Sequence, residues 1–448
     1  MNKDTDDRLN LLKDLVAKAK RAGADEAEAV AIDGTALSVS WRLGKTESLE
    51  QADAADLGLR VFVGKKQASV ASTDRRASTL EDLVARAVAM ARVAPEDPYC
   101  GLAAPDEIAR AFPSLELADD FDLLPEVLLA RAREAEDAAR AVPGVTLVDS
   151  TSASAGNTTI LMTASNGFSG SYRRTSYGIG ASVIAGSDTE MVTDYDFASR
   201  VFQSDLPDAS LIGRRAGERT VKQLKQRKMP SAQVPVVFDP REASGLLHNF
   251  ASAVSGASIA RGTSFLKDYL GKAVFADAIT IIDDPFRQRG LRSRLFDGEG
   301  IMPKRMAIVE KGVLKSWFLD LRSARQLGLQ TTGHAGRGVG GPPSPSPSNL
   351  YIEAGSSTPA DLIKDIKQGF YVTALMGMGV NGVTGDYSQA ASGFWIEDGV
   401  LAFPVNEMTI AGNMRDMFRH IAAGSDLAFE YGFDSPTLRV EEMTVAGV

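Results

Sequence analysis

The residues best able to do chemistry together stand in one short stretch, Leu246-Leu247-His248-Asn249-Phe250-Ala251-Ser252-Ala253. A zinc peptidase helix supplies two imidazole ligands and a glutamate base within little more than a turn, because the metal needs converging donors and its water needs a proton acceptor. His248 has the place of the first ligand and Asn249 that of the base, while neither Ser252 nor Ala253 offers a second imidazole. The stretch has the outline of a metal site without the donors.

Other chemistry-bearing residues are scattered. His248, His334 and His420 could in principle make a three-imidazole site, but no short ligand spacing joins any two of them. The acidic pairs Asp194 and Asp196, Asp283 and Asp284, and Asp297 and Glu299 fall at expected turns or strand ends, where capping and solvation account for carboxylates. Cys100 is the one cysteine, so no internal disulfide can form, and its setting among prolines and acidic residues reads as that of an incidental thiol. Two glycine triplets, Gly336-Arg-Gly338-Val-Gly-Gly341 and Gly377-Met-Gly379-Val-Asn-Gly382, match a dinucleotide pattern. That chemistry needs a helix start directly after the glycines. The first triplet runs into Pro342-Pro343 and the second into a turn and strand, so they read as points of close backbone approach, or as a fit to a peptide lying alongside.

The elements that must position these residues follow from periodicity. Leu9, Leu12, Leu15 and Val16 predict a helix over 6–21, followed by strands at 27–32, 36–42, 57–63 and 67–71 and a helix at 79–92. Residues 93–125 read as a linker. A helix at 126–142, a meander over 146–185 with its clearest turn at Asn166-Gly167, and a basic helix at 208–228 complete the first half. In the second half a strand at 234–238 feeds the His248 helix through Asp239-Pro240, a capping residue and a proline suited to the first turn. Strands are expected at 278–282, 306–310, 313–318, 370–375, 392–397 and 400–403, with helices at 319–327, 359–367 and 413–422. Residues 333–349, rich in glycine, proline and serine, are expected to form a mobile surface loop. The fold class is α+β, with an N-terminal mixed helix and strand region over 1–228 (two subdomains, about 1–95 and 115–228) and a larger C-terminal domain over 229–448 rich in antiparallel strands.

A formal charge of −9 disfavours tracking of a phosphate backbone, so no nucleic-acid partner is expected. No run reaches the ~18 apolar residues of a spanning helix, and the polar start carries no signal-peptide pattern, so the expected location is cytoplasmic, away from membranes.

The chain resembles the TldD/PmbA family, once described as modulators of DNA gyrase. The resemblance covers most of the length and is carried by Pro235-Val-Val-Phe238 leading to the His248 helix, Gly262-Thr263-Ser264, Ile281-Ile282-Asp283-Asp284-Pro285, Thr332-Gly333-His334, Ser392-Gly-Phe-Trp-Ile-Glu-Asp-Gly399 and Pro436-Thr-Leu-Arg439. In the family's zinc-binding branch, TldD, a His-Glu-x-x-x-His helix and a cysteine near the C-terminus hold the metal. Carried over, the histidine is His248, the glutamate is replaced by Asn249 and the second histidine by Ala253, and residues 427–439 contain no cysteine. The resemblance is therefore to the PmbA/TldE branch. It implies no zinc or other cofactor in this chain and a heterodimer with a TldD-like zinc subunit, forming a cytoplasmic metalloprotease that degrades or matures small or unfolded peptides. Self-association in the partner's absence stays open. The chain would add strand edges for an extended peptide, with residues 370–375 and 392–397 as the candidates and Gly377, Gly379, Gly382, Gly393 and Phe394 as the groove. Two alternatives stand beside this: a gyrase-linked regulatory binding protein, and a peptidase active alone through other residues.

Overall fold

The computed structural model describes residues 3–120, 124–377 and 379–447. The expected linker over 93–125 and the second glycine triplet each fall partly outside them.

In the first half, helix α1 (Lys3–Arg21) leads to strands β1 (Glu26–Arg42), β2 (Lys45–Val63) and β3 (Lys66–Ser72), then to α2 (Ala77–Val93). After α3 (Pro125–Arg140) come β4 (Val145–Ala164), β5 (Ser169–Ala185), β6 (Val192–Arg200) and α4 (Ala209–Lys222). The six strands form one sheet in the order β3-β2-β1-β4-β5-β6, so a single sheet runs through both N-terminal stretches. Several expected strands fuse. Residues 27–32 and 36–42 are one strand, because β1 pairs without a break through Asp33, Gly34 and Thr35 with β2 on one side and β4 on the other. The polar residues between the expected strands at 36–42 and 57–63 are part of β2, since ladder hydrogen bonds do not depend on apolar side chains.

Side-chain alternation gives this sheet two buried faces. Ala27, Ala29 and Ala31 meet the apolar stripes of α1 and α2, including Leu12, Leu15, Leu83 and Val84. Farther along the same face, Leu37 and Val39 meet Leu128 and Ala132 of α3 and Ile212 and Ala216 of α4. The opposite face carries Val30, Ile32, Arg60, Phe62, Met162 and Arg174, and the C-terminal half covers it.

The second half opens with β7 (Ala232–Phe238), α5 (Pro240–Ala253) and α6 (Gly256–Ala260), then β8 (Ile281–Asp284), β9 (Met306–Glu310), β10 (Val313–Leu314) and α7 (Leu321–Leu327). Next are β11 (Ala335–Gly336), β12 (Ser344–Pro345), β13 (Asn349–Ile352), α8 (Pro359–Ile363), β14 (Gln368–Met376), β15 (Asp386–Glu397) and β16 (Val400–Asn413). It ends with α9 (Met414–Arg419), β17 (Ile421–Ala423), β18 (Phe433–Asp434) and β19 (Leu438–Ala446). One sheet runs β16-β15-β14-β7-β19-β17, and a further pairing of Thr409–Ala411 with Thr444–Ala446 joins β16 to β19 and closes five strands into a ring. A smaller sheet, β10-β9-β8-β13-β18, lies on the other side of α5. Helix α5 is thus central: Leu246, Leu247 and Phe250 share one core with Phe238 and Trp395 of the ring and Ile281 and Ile308 of the smaller sheet.

Two expectations fail here for physical reasons. Strands β14 and β15 are not edges, since β14 pairs with β7 and β15, and β15 pairs with β14 and β16. Residues 333–349 are not a mobile loop but a strap held between the halves. His334, Ser348 and Asn349 are buried, β11 pairs with β12, and Arg337 ion-pairs with Glu28 of β1 at 2.5 Å. Gly58 of β2 lets the strap approach, since a Cβ there would sit 2.1 Å from the Val339 carbonyl oxygen. Composition alone undervalues such a segment because its order comes from a few buried polar anchors rather than apolar bulk. Among the described residues no helix is long and apolar enough to cross a membrane.

Candidate functional site

Helix α5 starts where the sequence marks it. Asp239 accepts the Arg241 N–H at 3.1 Å, and Pro240 occupies the first turn. Leu246, Leu247, Phe250 and Ala253 face the core, which leaves His248 and Ser252 exposed and Asn249 half-buried. The His248 Nδ1–H donates to the Ser244 carbonyl oxygen at 2.9 Å, since that oxygen can only accept. Against the imidazole lies the ring of Phe433, stacked at 3.9 Å between centroids and 14° between planes.

The positions that would have to converge on zinc therefore diverge. His248 points outward, stacked on the buried Phe433 ring, whereas Ala253 points into the core with 5% of its surface exposed. Among the described residues no group of three or more His, Cys, Asp or Glu side chains is placed to hold a metal ion. One imidazole nitrogen, an amide and a methyl group are not a zinc donor set, so no catalytic step through zinc is assigned to this chain. The late segment that the resemblance singles out does lie beside His248, and it delivers Phe433 rather than a thiolate.

Beside the start of α5 a cleft of about 400 Å³ opens between β6, the last strand of its sheet, and residues 430–431. Tyr195, Phe197 and Ser199 of β6, Arg241 and Ser244 of α5, and Tyr431 line it. Arg241 organises the wall: its Nη1 donates to the Tyr195 carbonyl at 2.8 Å, its Nη2 to Asp194 at 3.3 Å, and the guanidinium lies over the Tyr195 ring at 4.8 Å. Burial alone would depress this guanidinium, but Asp194 and Asp239 hold it above its usual range. Next to it, burial pushes the Glu242 carboxyl up to about 7, against the pull of Arg241 and of the Leu375 N–H it accepts. Sequence reading missed β6 and Phe433, although the alternation of Val192, Asp194, Asp196 and Ala198 with Thr193, Tyr195 and Phe197 was there to find.

The remaining candidates are dispersed. Gly377 and Gly382 are exposed in the connection after β14, and Gly379 lies where a Cβ would collide with the Ser388 carbonyl. Gly393 is buried within β15, where a Cβ would fall 1.9 Å from the Tyr371 carbonyl oxygen, and Phe394 lines a separate cavity with Tyr371 and Phe403. Neither glycine triplet precedes a helix; β12 follows the first and β15 the second. His420 is exposed, bonded to the Asp416 carbonyl. His334 is fully buried, with Nε2 3.0 Å from Asp283, whose carboxylate also accepts the Ser348 hydroxyl at 2.5 Å and the Ser348 N–H at 2.7 Å. Here the serine bonds the carboxylate rather than the imidazole, so the trio pins the strap instead of forming a nucleophile.

The acidic pairs are less solvated than expected. Asp194, Asp196, Asp283, Asp297 and Glu299 are all buried; Asp194, Asp283, Asp297 and Glu299 are held by hydrogen bonds or ion pairs, as with Asp194 and the Gln223 amide at 2.6 Å, while Oδ2 of Asp196 has no partner among the described residues. Burial, then Asp297 and Asp320, raise the Glu299 carboxyl well above the usual range. Cys100 is buried in the core between the halves, and burial raises its thiol.

Comparison with known proteins places these features in context. The C-terminal domain profile of the PmbA/TldA metallopeptidases matches residues 231–447, the central domain profile 118–224 and the domain 1 profile 27–91. The chain is 34% identical to Metalloprotease PmbA of Escherichia coli O157:H7 over 95% of its own length and 93% of that protein's. Identity to a Metalloprotease PmbA homolog of Haemophilus influenzae is also 34%, over 96% and 94% of the two chains. Among solved structures, a protein of Bacteroides thetaiotaomicron described as a modulator of DNA gyrase superposes with a TM-score of 0.89 at 27% identity, covering 98% of each chain. TldE of Thermococcus kodakarensis shares the fold at 20% identity, with a TM-score of 0.88 over 98% and 100% of the chains.

Proposed function

The chain belongs to the PmbA/TldD family of metalloproteases, and from that premise we propose that it is a zinc-free subunit that pairs with a zinc-binding TldD-like subunit. The pair acts in the cytoplasm on small or unfolded peptides, and the bond-breaking chemistry belongs to the partner. One observation carries this reading: on helix α5, Asn249 and Ala253 stand where the resemblance puts the base and the second imidazole ligand, and the exposed His248 is stacked on the buried ring of Phe433.

What this chain contributes is a surface for an extended peptide. Since β14 and β15 are interior strands, the better edge is β6, whose Tyr195, Phe197 and Ser199 open onto the cleft beside α5. A peptide there would meet the aromatic rings of Tyr195 and Phe197 and main-chain groups only farther along the strand, because the Tyr195 N–H and carbonyl are already bonded to Asp194 and Arg241. The decisive experiment purifies this chain alone, a TldD-like subunit alone, and the two together, with metal analysis and a peptidase assay on each. Expected are stable co-purification, zinc in the partner only, and hydrolysis by the mixture. Stoichiometric zinc in this chain, or peptide hydrolysis by it alone, would overturn the reading. A gyrase-linked binding role is suggested by the description of the Bacteroides relative; the −9 charge weighs against its DNA version, which a salt titration of DNA binding would test.

A further inference from the structure

Between the N-terminal sheet and the strap lies a half-open cavity of about 290 Å³ with a strongly cationic wall. Four arginines line it: Arg174 from β5, Arg292 and Arg294 from the segment after β8, and Arg337 from the strap. The remainder of its floor is apolar, built by Val30, Ile32, Ile160 and Met162 on the covered face of the sheet.

These guanidinium groups are underemployed. Arg174 donates to the Leu291 carbonyl, Arg294 to the Ser346 carbonyl at 2.7 Å, and Arg292 weakly to the Pro347 carbonyl at 3.4 Å. Backbone carbonyls offer dipoles, not a counter-charge. Arg337 does hold Glu28, yet its side chain is only 4% exposed and its Nε and Nη2 have no partner among the described residues, as is also true of Nε in Arg292 and Arg294. The one carboxylate in the wall, Asp297, is engaged by the N–H groups of Glu299, Ile301 and Ala335. Four cations thus face Asp297, Glu28, which is also shared with Arg60, and the field of Asp283 on Arg292, so the cations stay in excess. Burial, followed by the field of Arg294, holds Arg292 below the usual guanidinium range, and Arg174 is lowered in the same way. Unpaired buried cations are costly, and a bound anion would relieve several at once.

From this geometry we infer that the cavity is a receptor for the terminal carboxylate of a short peptide whose last side chain is apolar. The carboxylate meets the arginines, whose planar forks match its two oxygens, and the side chain lies on the sheet floor. An inorganic anion would satisfy the charge and leave the apolar floor unused. The cavity adjoins the cleft at α5, because Leu291 lines both and the Arg292 guanidinium lies over the Phe433 ring at 4.8 Å. The choice of a peptide rests on the function proposed above; the inference of an organic anion does not.

The test uses the full chain alone, without partner or hydrolysis, so its failure leaves the heterodimer reading standing. N-acetyl-Gly-Leu, its C-terminal amide, sodium acetate and inorganic phosphate are titrated calorimetrically. The free acid should bind saturably, with the amide and acetate each at least ~10-fold weaker, a difference of ~1.4 kcal/mol. Arg294→Gln should weaken the acid by a similar factor and Arg294→Lys by less. Because a buried arginine variant can lose its fold, wild-type protein is also labelled with phenylglyoxal and mapped by mass spectrometry. Arg174, Arg292 and Arg294 should be protected by the acid and not by the amide. Equal binding of acid and amide, or protection by phosphate as strong as by the acid, sinks the proposal.

Discussion

Single side chains in this protein are legible in type and misleading in setting. Asp283 stands at an expected strand end, yet it is fully buried and accepts from Ser348 twice and from His334. Asp283→Ala leaves those donors unsatisfied in the core, so the denaturant midpoint should fall by the equivalent of about 3 kcal/mol or more; a loss under about 1 kcal/mol would mean the network is not an anchor. Glu242 behaves oppositely. Its folded carboxyl titrates at about 7 because of burial, against 4.5 for an unperturbed glutamate. As pH rises from about 4.5 to 7 the unfolded chain releases a proton that the folded chain retains, so this group subtracts stability across that window. Glu242→Gln should therefore be more stable than the parent at pH 8, by about 1–2 kcal/mol after allowing for partial exposure, and no more stable at pH 4. Thermal melts at the two pH values decide it.

Elements were read well where periodicity and caps agree, and poorly where order comes from elsewhere. The start of α5 was visible in Asp239-Pro240 and the spacing of Leu246, Leu247 and Phe250, all of which the structure keeps. The strap over 333–349 was not visible. Its hold depends on Arg337 reaching Glu28 and on Gly58 leaving room for Val339, residues separated from it by most of the chain. Native protein should consequently resist trypsin after Arg337, whose guanidinium is buried. Gly58→Val should lift the strap and speed that cut by about tenfold, the factor that ~1.4 kcal/mol of local destabilisation gives. An unchanged cleavage rate would show that the close approach does not hold it.

At the scale of the molecule, the two halves share a core and cannot be separated cleanly. Phe62, Met162 and Phe168 from the first half pack with Phe296, Ile301 and Leu321 from the second. A chain ending after residue 228 would expose that face, together with Arg60 and Glu28, and should elute as aggregates in size-exclusion chromatography rather than as a folded monomer. A well-behaved monomer would show that the N-terminal sheet needs no cover. The proposed pairing with a zinc subunit belongs to the same scale, since it asks which surface of the assembled halves remains for a partner and a peptide.

By itself the sequence determined the α+β class, the family, the start and buried face of α5, and the absence of a histidine and glutamate where a zinc helix would carry them. Each of these rests on residue type and on spacing within a few turns, which the chain's local geometry translates directly. Only the tertiary structure decided that β14 and β15 are interior, that β6 ends its sheet beside α5, that His248 stacks on the buried Phe433 ring, and that Arg174, Arg292, Arg294 and Arg337 share one cavity. Those facts depend on contacts between residues tens to hundreds of positions apart, and the pairing of distant strands and straps is set by packing of the whole core, which no local pattern encodes.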